Sequence, residues 1–310
     1  MAIMKPSSGS GGNKKPLGST SKSDKSSLSP EKKETPKKKD SPLLKIKKPP
    51  QTPKIVTSFQ KQVIDDALEI AKTKAKENPR DPFAWNELGV AYKNKGMLDN
   101  AIEQYQKALK VDPNFALAHY NIAIVYKDQG KTEESIEAYI NTTKLAPHFT
   151  GAFINLGNIF FAKGKVYEAI KYYKSAIEAD KTDAIAYKNL GLAYLSLERF
   201  DRSVEAFEES VKFEPSDQET QNYMNIAHRN RKKLRGSIKE VYDSIAQNPS
   251  DLNLRINLAS IYYKTGFLDN ALEEYKVILQ LDPNNQDAER LIPLIITEIE
   301  DLKDKESTET

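Results

Sequence analysis

Asparagine recurs through this chain at a fixed interval. Asn121, Asn155 and Asn189 lie 34 residues apart, Asn257 follows two intervals later, and Glu87 and Tyr223 hold the remaining places. A carboxamide offers an acceptor oxygen and two donor hydrogens. A row of them can pair with both the C=O and the N–H of an extended peptide without reading its side chains, or simply solvate the element that carries it. Asn86, Tyr120, Asn158, Lys188, Leu192 and Tyr263 fall on the same periodic segments and are candidates for the same wall. A second group is cationic: Arg229, Arg231, Lys232, Lys233 and Arg235 suit a phosphate or an acidic segment, and equally a solvated basic turn. Neither group is catalytic. His119, His148 and His228 are not spaced as a metal pair, there is no nucleotide-binding loop, and Glu133-Glu134 and Glu208-Glu209 read as solvated faces. The expectation is a non-enzymatic protein without metal or cofactor.

The elements that would position these residues share the same period. Trp85-x2-Leu88-Gly89-x2-Tyr92, then Ala101-x3-Tyr105 and Pro113, recurs as Phe153-x2-Leu156-Gly157-x2-Phe160 with Ala169-x3-Tyr173. It returns as Tyr187-x2-Leu190-Gly191-x2-Tyr194 with Phe207 and Pro215. Pro79, Pro113, Pro147, Pro215, Pro249 and Pro283 form a ladder at the same spacing, with Lys181 on the remaining rung. A proline there ends a helix before the next unit begins. Spacings of 3 and 4 put Leu88, Ile122, Leu156, Leu190, Met224 and Leu258 on one face, with small neighbours where a second helix approaches. Gly96, Gly130, Gly164 and Gly266 sit where the first helix would end in a left-handed residue.

This pattern resembles the tetratricopeptide repeat, over about residues 54–302. The resemblance implies an all-α, right-handed superhelix (an α-solenoid) of six 34-residue helix–turn–helix repeats at 82–115, 116–149, 150–183, 184–217, 218–251 and 252–285. A half-repeat at 54–81 and a helix at 286–302, bent or restarted at Pro293, would cap it, and 303–310 would be a disordered tail. It also implies that the first helices line a concave groove. The asparagine row is similar to the ladder that holds peptide backbone in the repeat region of O-GlcNAc transferase. The carboxylate clamp of chaperone-binding members is missing: Asn86 and Val90 stand where Lys and Asn are needed, and Lys188 is followed by Leu192. Two blocks depart from the pattern. In the fifth, Asn225, His228, Lys232 and Val241 replace the small residue, the first aromatic, the glycine and the second aromatic, so its helix pair should be loose and hinge-like. The fourth has Glu198 in place of the glycine. Leu294 and Ile296 lie off the apolar stripe of the last helix; they suit a cap helix buried a little more than usual, or a dimer or partner contact.

Of the 310 residues none is Cys, so disulfides and thiolate metal sites are excluded. No secretory signal or long apolar run appears, and a cytoplasmic location is expected. The net charge of +3 conceals an asymmetry: residues 1–50 carry 13 Lys against four acids, and the remainder is acidic. Residues 1–53, rich in Lys, Ser and Pro, read as a disordered tail. Two function classes follow. The first is a scaffold that binds a peptide segment or helix of a partner protein in the groove. The second is binding to nucleic acid or anionic membrane through the tail and the Arg229–Arg235 cluster.

Overall fold

The computed structural model describes residues 58–308. The expected tail 1–53, the first residues of the expected cap (54–57) and residues 309–310 lie outside them. Among the described residues every regular element is a helix. The order is α1 (Ser58–Glu77), α2 (Pro82–Asn94), α3 (Leu98–Val111), α4 (Ala116–Asp128), α5 (Thr132–Leu145), α6 (Thr150–Ala162), α7 (Val166–Ala179), α8 (Ala184–Ser196), α9 (Phe200–Phe213), α10 (Gln218–Gln247), α11 (Leu252–Thr265), α12 (Leu268–Leu281) and α13 (Gln286–Thr308). α2/α3, α4/α5, α6/α7, α8/α9 and α11/α12 are the hairpins, and each packs on the next to build the superhelix.

Local chemistry sets both ends of these helices. Asp81, Asp183, Asp217 and Asp251 accept backbone N–H groups at the starts of α2, α8, α10 and α11. Each satisfies donors that a helix start leaves open. Gly96, Gly130, Gly164 and Gly266 all have φ between 74° and 86°, the left-handed turn from first helix to second. Glu198 adopts the same turn at φ 58° without being glycine. Inside the pairs the small residue is steric. A Cβ on Gly191 would lie 2.5 Å from the Phe207 ring, and Gly89 and Gly157 meet Tyr105 and Tyr173 in the same way. The rings of Tyr105, Tyr139, Tyr173 and Phe207 are consequently buried, each stabilising its pair by about 1.5–3 kcal/mol.

The fifth period corrects the sequence reading. No turn divides it: α10 is one helix of 30 residues. Lys232 supplies no left-handed residue at the turn position. Without the small residue at Asn225 and the aromatic at Val241, a second helix has no close surface to fold onto. The chain therefore continues through Arg229–Leu234, all residues that a helix tolerates. α10 packs on α9 and on α11. The last helix also differs from expectation. It runs through Pro293 and on to Thr308, past residue 302, because 301–306 contains only helix-tolerant residues and neither Gly nor Pro.

Candidate functional site

The amides of the first helices fall into two sets. Asn121 Nδ2 donates to Asn86 Oδ1 at 2.8 Å, and the two side chains are only 7% and 4% exposed. Asn155 Nδ2 donates to Tyr120 Oη at 3.1 Å and to Gly151 O at 2.9 Å. The Tyr120 ring is held between Tyr139 and Phe149, with centroids 5.6 and 4.6 Å away. These residues tie one first helix to the next. For Asn86 and Asn121 the expected peptide contact gives way to a buried mutual bond, since unpaired amides there would pay the full cost of desolvation.

The second set stays open. Asn158 is exposed, and its Oδ1 accepts from Tyr173 Oη at 2.8 Å and from Asn189 Nδ2 at 3.3 Å. Burial pushes the Tyr173 phenol well above its ordinary pKa, so it remains a neutral donor. Asn189 is half-buried, Asn257 is exposed, and Ile185 stands exposed one turn before Asn189. Lys188 is bridged to Asp217 at 2.9 Å and to Glu219 at 2.7 Å. Burial works against its charge, but the bonds to Glu219 and Asp217 outweigh that and raise its pKa. The Thr220 hydroxyl and then Lys188 hold the Asp217 carboxyl down at about 2. Leu192 packs against the cluster of Leu195, Phe200, Val204 and Phe207. Tyr263 is buried and is thereby removed from the expected groove.

The cationic residues lie along the middle of α10 and not around a turn. Arg235 Nη2 donates to Thr265 O at 2.8 Å, and its guanidinium lies 4.7 Å from the Phe267 ring centroid. Arg231 contacts His228 Nδ1 at 3.1 Å. Arg229, Lys232 and Lys233 are exposed, with no ion-pair partner among the described residues.

Sequence reasoning missed Arg199. It is 1% exposed and bonds Glu298 of α13 at 2.6 and 2.7 Å and Asp201 at 3.2 Å. Its guanidinium lies 3.9 Å from the Tyr263 ring centroid. Burial opposes the charge, and the Glu298 bonds with the Asp201 field overcome it, so the pKa is raised. Beside it Lys264 pairs with Glu198 at 2.5 Å, and Gly266 leaves room for Asp201. The turn of the fourth period thus docks on α11 and α13, passing over the fifth. Its 34-residue place is held by Met97, Lys131, Lys165, Lys233 and Phe267 elsewhere, which gave no signal.

Among the described residues no group of three or more His, Asp or Glu could hold a metal, and no helix is long and apolar enough to cross a membrane. Family models match the chain at 89–130 and 157–198 (TPR repeat) and at 116–149, 184–217 and 252–285 (tetratricopeptide repeat). No match was found among curated proteins. Similar solved structures include a chain of the APC/C hetero-tetramer Cut9–Hcn1, with 18% identity, a TM-score of 0.47 and coverage of 75% of this chain and 46% of that one. This chain therefore spans less than half the length of that relative. The C-terminal part of a TPR repeat-containing protein from Cytophaga hutchinsonii gives 19% identity, TM-score 0.49 and coverage of 74% and 95%. YrrB, described as a TPR protein with an unusual peptide-binding site, gives 17%, 0.43, 73% and 98%. The internal period, the buried aromatic–glycine contacts and the matched spans lead to one assignment: the chain belongs to the tetratricopeptide-repeat family.

Proposed function

We propose that the protein is a non-enzymatic scaffold that binds an extended segment of a partner protein along its first helices, over the stretch from Asn158 to Asn257. The observation that carries this reading is the contrast between the two amide sets. Asn86 and Asn121 are buried in a mutual bond and Asn155 ties its helix to Tyr120, whereas Asn158 and Asn189, although joined by one bond of their own, reach the surface with Asn257 beside exposed Ile185. Exposed amides next to an apolar contact suit a peptide main chain with an occasional apolar side chain. The test is selection of a random-peptide display library on the full chain, followed by anisotropy titration of the enriched peptides. Asn189→Ala with Asn257→Ala should weaken binding at least about tenfold, the loss of one or two hydrogen bonds. Asn121→Ala should leave affinity unchanged. No enriched peptide, or equal affinity for the double variant, rejects the reading.

A second reading, polyanion binding, is favoured by the three unpaired cations Arg229, Lys232 and Lys233 on α10. It expects heparin or nucleic-acid binding that falls steeply with salt and is lost when all three become Ala.

A further inference from the structure

The two ends of the described array are unmatched halves of one hairpin. α1 has the register of a second helix. Ala67 stands 34 residues before Ala101, and its counterparts Ala101, Ser135, Ala169, Ser203 and Ala271 are all fully buried by their own first helix. Among the described residues no such helix precedes α1, and Ala67 is exposed. So are Phe59 (76%), Val63 (51%) and Ile70 (70%), which line up with it at helical spacing. The place of a first helix, 48–60, carries Pro49, Pro50 and Pro53 and already overlaps α1, so the sequence there is not that of a first helix. α13 is the converse. Gln286 begins the next period, so α13 has the register of a first helix, and no second helix follows it among the described residues. Its side toward that missing partner exposes Pro293 and Ile296.

We infer that a second copy of this chain completes the hairpin: α13 of one molecule packs against the Phe59–Ile70 face of α1 of the next, head to tail. The contacts inside the existing pairs specify the match. Phe160 stacks on Tyr172, and the equivalent places are Ile296 and Ile70. Tyr262 meets Phe267, and the equivalents are Ile296 and Val63. Gly157 lies beneath Tyr173, a small residue under a large one. The equivalents, Pro293 and Ala71, put the larger residue on the first-helix side. Lys107 lies over the Trp85 ring, and the equivalents place Glu289 at Thr73, next to Lys74, which already pairs with Glu87. The contact joins two different surfaces, so it is heterologous and propagates beyond a dimer, as a ring or an open chain of molecules. One helix pair buries less than a standard interface of about 1,600 Å², which places the association in the weak class.

The test is sedimentation velocity of the full chain across a wide concentration range. The wild-type coefficient should rise with concentration without stopping at a dimer. Ile70→Asp and Ile296→Asp each disable one end at an exposed position, so both should fold, shown by unchanged helical circular dichroism, and each alone should stay monomeric. Mixed one to one, they retain one intact α1 face and one intact α13 face and should form a dimer and nothing longer. The inference is overturned by a wild type that stays monomeric. It is equally overturned by an Ile296→Asp variant that associates like wild type, the signature of α1 pairing with itself, or by a mixture that forms no dimer.

Discussion

α2–α9 and α10–α13 fill the same 34-residue period in different ways. In the first region each helix pair is closed by a small residue under an aromatic ring, and each turn by a left-handed residue. The contacts are therefore with sequence neighbours, as expected of a quasi-one-dimensional array. In the second region the fifth period has neither device and becomes the single helix α10. Its neighbours compensate over a longer range: Arg199 of the fourth period reaches Glu298, 99 residues away, through Tyr263 of the sixth. The regular pairs, α11/α12 among them, are stabilised by repetition of one apolar contact; the irregular fifth period is bridged by a buried ionic group that belongs to no repeat.

The largest expected effect follows from that group. Arg199→Ala removes the buried cation between Asp201 and Glu298, leaving only Arg202, 3.9 Å from Glu298, and removing one partner of a buried pair costs roughly 3–5 kcal/mol. Hydrogen exchange should show the loss concentrated in α11 and α13, with α2–α7 unchanged; a uniform loss would contradict local docking. Glycines sharpen the comparison. Gly191→Ala sets a methyl 2.5 Å from the Phe207 ring and should cost about 1–3 kcal/mol in urea unfolding. Gly236→Ala, inside α10, meets nothing within 4 Å and should stabilise by about 0.5–1 kcal/mol. Effects of the same sign at the two positions would show that α10 resembles the regular pairs.

A smaller effect is expected at the junction of the regions. Asp217→Ala removes the α10 N-cap and one partner of Lys188, costing about 1 kcal/mol. The folded pKa of Asp217, about 2, lies below the ordinary carboxyl value of 3.8. Its contribution is therefore complete above pH 3.8 and lost as the pH falls through about 2. Thermal melts across that window should fall more steeply for the wild type than for Asp217→Asn.

The regular region was legible because its determinants are local and periodic: Gly96 or Gly164 marks a turn, Gly89 and Tyr105 mark a contact, and Pro113 marks the step to the next unit. The absence of the expected turn near Lys232 was not legible. A missing glycine permits either outcome, as Glu198 shows by making the turn without one; the available packing surface decides. The amides were legible as donors and acceptors but not as bonded pairs, since the partners of Asn121 and Asn155 lie on a neighbouring helix. Arg199 was invisible because a contact made once leaves no period.

The most direct measurement is the distance between the two ends of α10. The chain has no cysteine, so Asn222→Cys and Ala246→Cys can be spin-labelled cleanly and measured by double electron–electron resonance. At 1.5 Å per residue a continuous helix places these positions about 36 Å apart. A helix–turn–helix like the other repeats would bring them to within roughly 10–20 Å, given interaxial distances of 8–10 Å. A single population near the longer distance is the predicted result. A dominant short distance would contradict the account, restoring a regular fifth repeat and removing the reason for Arg199 to reach across it.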